Sequence, residues 1–306
     1  MALGSAVAAL AVFVTARALV EGSMRSGSLP RRGPPAPDAR LHWYDIGALS
    51  LAHAIIALLG WIGVADLLKR SFTDAVLYTL SAAVLAGVAI AVTSYAVFLS
   101  AVSLSPMLLS LILAVFVVVG AFASMLSATD PHWWQENLST LGISDDLSAL
   151  AFNLTLVIAG VIITTIAHLA TATIPVVDQN QVRGRNRVRS ALILIGILLA
   201  CVGIFPLDRF FTVHGLAASG MVAVFVAMVV GLRWLVPAIP RVFLLLGYFY
   251  VFVIVVLAVF YITGYYNLTA VELVAVVLVF SWLIVFIRTT AAMHGHESDG
   301  VSSMSH

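Results

Sequence analysis

The chain has 306 residues, 62% of them hydrophobic and only 9% charged, with a mean hydropathy of +1.11. A water-soluble domain carries about 25% charged residues, so these proportions exclude a chain covered by water-facing surface. A formal net charge of +1 excludes bulk attraction to nucleic acid, and the one cysteine, Cys201, excludes an intrachain disulfide.

The solvent of such a chain is lipid. Crossing ~30 Å of hydrocarbon takes roughly 20 helical residues, and only helices or closed barrels satisfy the backbone there. The apolar runs are continuous rather than alternating, which selects helices. They predict an all-α, polytopic integral membrane protein with about nine transmembrane helices, near 3–22, 45–68, 73–99, 105–127, 147–174, 190–207, 212–233, 241–263 and 269–288.

In chain order, the first run lacks the basic start of a signal peptide and reads as a retained helix, although Ala16-Arg17-Ala18 imitates a cleavage site. Residues 23–42, rich in Pro, Gly and Arg, read as a flexible cytoplasmic linker. The second helix carries His53 and ends in Asp66, Lys69 and Arg70; Ser71 to Asp74 matches a capping box for the third. Small residues in the third (Ala82, Ala83, Ala86, Gly87) favour close packing. Residues 1–105 thus form a three-helix extension. A six-helix membrane domain, 106–290, and a disordered polar tail, 291–306, follow it.

The main break in the apolar second half is Asp130 to Asn153, which holds His132, Glu136, Asp145 and Asp146 and no Lys or Arg. Trp133 and Trp134 there, and Tyr265 and Tyr266 before the ninth helix, are the residue types that anchor at a membrane interface. The segment QVRGRNRVRS, with Arg183, Arg185, Arg187 and Arg189, reads as a basic connector before the sixth helix. Placing the N-terminus outside puts every Lys and Arg except Lys69, Arg70 and Arg209 at cytoplasmic ends. The expected location is the cell membrane, with the C-terminus cytoplasmic and the 130–146 loop outward.

The candidate outward polar cluster is His132, Glu136, Ser139, Asp145, Asn153, Asp208, His214 and Glu272. It has the composition of a cation site or an acid–base pair. Local explanations compete. Asp145 and Asp146 sit where a helix dipole favours carboxylates, and Thr269 to Glu272 matches a capping box. Asp208 has Arg209 beside it, and His132 has the tryptophans. Glu136, Ser139, Asn153 and His214 are expected to converge, because a compact bundle brings outward loops together and polar groups near hydrocarbon seek partners. His53 is the most membrane-buried ionisable residue, explained equally by function or by a carbonyl partner. Neither HExxH, GxSxG, Walker A, CxxC nor HxxxH occurs, so no metal and no cofactor is expected.

From about 106 to 288 the chain resembles a six-helix family of uncharacterised bacterial and archaeal membrane proteins, distantly similar to the eukaryotic DRAM and FRAG group. The matching features are Ser139-Thr140-Leu141-Gly142 in an outward loop, Phe152-Asn153 early in the next helix, Gly203-Ile204-Phe205-Pro206, and His214. Residues 1–105 depart from that pattern. The resemblance implies a lipid-related role and carries over no catalytic residue. The leading reading is a non-catalytic lipid-binding or envelope-assembly component, partnered by membrane lipids and a further membrane protein but not by nucleic acid. The alternatives are an outward-facing enzyme acting on lipid head groups and a transporter or permease subunit, so whether the chain is an enzyme stays open.

Overall fold

The structure, a computed structural model, describes residues 1–25, 43–72, 78–143, 146–172 and 174–303. Its long helices are α1 (Ala2–Arg25), α2 (Trp43–Ser71), α3 (Thr79–Val102), α4 (Pro106–Ser127), α5 (Leu147–Ala172), α6 (Gln179–Ile204), α7 (Phe211–Leu235), α8 (Arg241–Ile262) and α9 (Leu268–Ser303). Among the described residues, 9 helices are long and apolar enough to cross a membrane. The chain is an all-α polytopic membrane protein.

Helix starts follow local chemistry. Ser105 accepts the Leu108 N–H (3.2 Å) with Pro106 in the first turn, and Asp178 accepts the Gln181 N–H (2.7 Å). Asp146 accepts the Ala149 N–H (3.0 Å), and Asn267 that of Ala270 (3.0 Å). Between α8 and α9 the chain turns through Gly264 at φ 74°, a conformation that costs glycine nothing.

Helices α4 to α9 close a ring. Each packs on the next, and α9 returns to α4. The tightest seam is α5 on α6, where Gly160 and Gly196 face each other; a Cβ on Gly196 would stand 2.5 Å from the Gly160 carbonyl oxygen. Near the far end of this seam Arg189 Nε donates to Thr171 Oγ1 (2.8 Å). α1 packs on α2 and α3, and α2 joins the trio to the ring through α4 and α5, so one continuous core runs through both parts. Buried polar groups tie these contacts. Thr165 donates to Asp45 (2.6 Å) across α5 and α2, and Arg17 donates to the Ala101 carbonyl (3.3 Å) across α1 and α3.

Several boundaries differ from the sequence expectation. The basic segment 181–190 is not a connector but the first turns of α6, started by the Asp178 cap; Gly184 there lies so close to Leu235 that a Cβ would overlap its carbonyl. Ser71 does not cap α3. It belongs to α2 and donates back to the Leu67 carbonyl (2.8 Å), while α3 begins at Thr79. Asp74, most of the 23–42 linker and residues 304–306 lie outside the described residues. The 291–303 stretch, expected to be disordered, continues α9 as helix, since extending a formed helix needs no new nucleus.

Candidate functional site

The connection from α4 to α5 is a compact cap built on two 3-10 turns, Trp133–Gln135 and Leu138–Gly142. The second turn points Ser139 and Leu138 into the ring. Leu138 N–H donates to Glu272 Oε2 (2.6 Å) near the start of α9, and Asn267 Nδ2 donates to the Trp134 carbonyl (2.8 Å). Asn153 Nδ2, on α5, donates to the Gly142 carbonyl (3.0 Å). Ser124 and Ser148 bond each other across α4 and α5 (3.1 Å) beneath the cap.

His214 joins the cap to α7 and α6. Its Nδ1 lies 2.8 Å from the Phe205 carbonyl oxygen and its Nε2 3.0 Å from Ser139 Oγ, and the side chain is buried. Pro206 and the turn after α6 put that carbonyl within reach of the first turn of α7.

Of the expected convergence, Ser139 and His214 are in direct contact, and Asn153 holds the same turn from the other side. Glu136 is exposed and takes no part. Glu136 ends the first 3-10 turn and faces outward, whereas the second turn aims Ser139 inward, and Glu272 supplies the carboxyl instead. Glu272 is not a capping-box residue, since Asn267 caps α9 and the carboxylate leaves its own helix for Leu138. His132 is mostly exposed, 3.7 Å from Asp130, and Asp208 pairs with Arg209 at 3.6 Å, so neither joins the cluster. Asp145 lies outside the described residues; Asp146 caps α5 and accepts the Thr129 hydroxyl (3.0 Å). Trp134, Tyr265 and Tyr266 are exposed at the cap end, and Trp133 is half-buried there. Among the described residues no group of three His, Cys, Asp or Glu side chains forms a metal site.

Beneath the cap lies a cavity of ≈ 320 Å³ inside the ring, between α5, α6, α7 and α9. Ser139, Leu138 and Glu272 close its cap end; below them the walls are apolar, with Phe152, Val202, Phe225 and Val279 among them. Along α9 the lining runs from Glu272 to Leu283, about 16 Å at 1.5 Å per residue. Trp282 forms part of the floor, edge-on to Phe225 (5.4 Å) and stacked on Phe286 (5.3 Å). Ser219 and Val222 line the cavity and are also exposed on the outside of α7. Ala258 to Tyr266, at the end of α8 and in the turn to α9, are all exposed, and the exposed lining residues of α7 leave the cavity open at the side.

The chain matches no family model, no curated protein and no solved structure. The site is therefore read from its own geometry. Sequence reasoning missed Phe205 O, Leu138 N–H and Asn267, which act through backbone atoms or a helix cap. Only the proline after Phe205 and the asparagine ahead of Thr269 hinted at them.

Proposed function

We propose that this membrane protein is a non-catalytic component that holds a lipid-like amphiphile, taken in sideways from the bilayer. One observation carries the reading. The cavity is apolar over a depth of about 16 Å, roughly half the ~30 Å hydrocarbon core, and is polar only at the interfacial end. Its volume is at the lower end of ligand pockets, and interiors are otherwise close-packed. Lipid is the filler at hand.

The enzyme reading draws on the Ser139–His214 pair. His53 makes the same pair without a site: Nδ1 on the Leu49 carbonyl (2.7 Å), Nε2 on Ser100 Oγ (2.8 Å), in the α2–α3 contact. A histidine buried in lipid satisfies both nitrogens in this way, which favours a structural role. The transporter reading expects paired broken helices at mid-membrane, whereas α4 to α9 each run unbroken.

Native mass spectrometry of the purified full-length protein should retain a lipid-sized adduct. Ala275→Phe, which fills the cavity from α9, should remove the adduct while leaving the protein at least as stable. An adduct indifferent to this substitution, or none at all, defeats the reading. The distribution of arginines supports an outward cap: a reporter-fusion scan should place 180–189 in the cytoplasm and 130–146 outside. Both on one side would overturn that topology, since only α5 lies between them.

A further inference from the structure

The head group that fits the chamber follows from where its hydrogens point. The Phe205 carbonyl can only accept, so His214 Nδ1 carries a hydrogen. In the neutral ring Nε2 is then an acceptor, and Ser139 must donate to it. Ser139 therefore turns lone pairs, not its hydrogen, toward the chamber. Ser219 spends its hydrogen on the Gly215 carbonyl (2.7 Å), and Leu138 spends its N–H on Glu272 (2.6 Å). The indole nitrogen of Trp282 is turned to α8, 3.0 Å from where a Cβ on Gly247 would stand. What the side chains at the polar end still offer are acceptors: Ser139 Oγ and the Glu272 carboxyl, whose Oε1 has no hydrogen-bond partner among the described residues.

Charge narrows the class further. Lys, Arg and His are absent from the lining, and Glu272 forms no ion pair among the described residues. A carboxylate facing apolar walls is strongly disfavoured unless a cation joins it. A phosphate or carboxylate head would be repelled by an ionised Glu272 and would find one O–H but no cation if Glu272 were neutral. A hydroxyl head would supply one hydrogen and no countercharge.

We propose that the chamber takes a long-chain ammonium amphiphile, with its –NH3+ donating to Glu272 Oε1 and Ser139 Oγ and its tail lying along Phe225, Val279 and Phe280. The proposal rests on the lipid-chamber reading and adds the head group to it. An ammonium brings three hydrogens and a positive charge to a site that offers acceptors and a carboxyl.

The test uses the full-length protein in phosphatidylcholine nanodiscs and hexadecylamine, hexadecanol and hexadecanoic acid, each with a photoreactive diazirine in the tail. Cross-linked peptides from α7 and α9 are read by mass spectrometry. The amine should label the lining at a concentration at least about tenfold lower than the alcohol or the acid, as expected for a desolvated charge pair. Glu272→Gln should bring the amine to the level of the alcohol while all three tails still label, because glutamine keeps an acceptor for the Leu138 N–H. Equal labelling by the three probes in the wild-type protein, or an amine preference that survives Glu272→Gln, overturns the ammonium assignment and leaves the chamber standing. Absence of labelling in the lining by any probe overturns both.

Discussion

Replacing Gly160 with leucine should prevent the ring from closing. A Cβ on Gly160 would overlap the Gly196 carbonyl oxygen and stand 2.9 Å from the Ala200 backbone nitrogen, and one on Gly196 would stand 2.5 Å from the Gly160 carbonyl. These neighbours are backbone, so no rotamer change relieves the overlap and the helices must separate. In lipid, close approach of small residues is a principal source of helix association, because no hydrophobic gain replaces it. Even Gly160→Ala should cost about 1–3 kcal/mol, the usual range for overpacking. Gly160→Leu should yield little monodisperse protein. Gly215, on α7, has nothing within 4 Å of its Cβ position. Gly215→Ala should raise stability by roughly 0.5–1 kcal/mol through the entropy of the unfolded chain. Unfolding of the three variants in mixed micelles checks the ordering. A Gly160→Ala protein as stable as the wild type would show that the α5–α6 seam is not set by this contact.

The same seam shows what was legible in the sequence. Continuous apolar length located all nine helices of membrane-spanning length among the described residues, because lipid leaves the backbone no other arrangement. The Ser139–His214 contact at the cap end was legible too, because both residues lie at helix ends that any compact bundle brings together. Glu272 was not. Its position three residues after Thr269 fits a local capping rule so well that nothing in the sequence suggests a partner in another loop. Only the fold puts Leu138 beside it. Glu136 failed for the opposite reason, since two successive 3-10 turns, set by tertiary contacts, decide which of two nearby residues faces inward. The start of α6 was recoverable in principle. Asp178 is a good N-cap and arginine a good helix former, but four arginines in seven residues read as a solvated connector. The chamber was illegible altogether, being the space left after α5, α6, α7 and α9 have packed.

His214→Ala should release the cap from α7. The substitution leaves the Phe205 carbonyl and the Ser139 hydroxyl without their partner and opens a void the size of an imidazole at a buried position. Each orphaned group costs about 1–3 kcal/mol, and the void adds to it, so a loss of at least about 2 kcal/mol is expected. Ser139→Ala removes one of the two bonds and should cost about 1 kcal/mol. Because the residues touch, the double variant should lose less than the sum, with a coupling of about 1 kcal/mol in a double-mutant cycle. His214→Asn places an amide donor where Nδ1 stood and should recover the Phe205 bond but not the coupling to Ser139. His132→Ala and Glu136→Gln, on exposed side chains of the same cap, should stay within about 0.5 kcal/mol of the wild type. The distinction matters for function as well as stability. Losing His214 frees the Ser139 hydrogen to point into the chamber, which adds a donor where the site otherwise offers acceptors. In the photolabelling assay His214→Asn should therefore narrow the gap between hexadecylamine and hexadecanoic acid without closing it, since Glu272 still offers its carboxyl to the ammonium. If additive losses and an unchanged probe preference were found together, Ser139 and His214 would be neighbours that neither hold the cap nor shape the site.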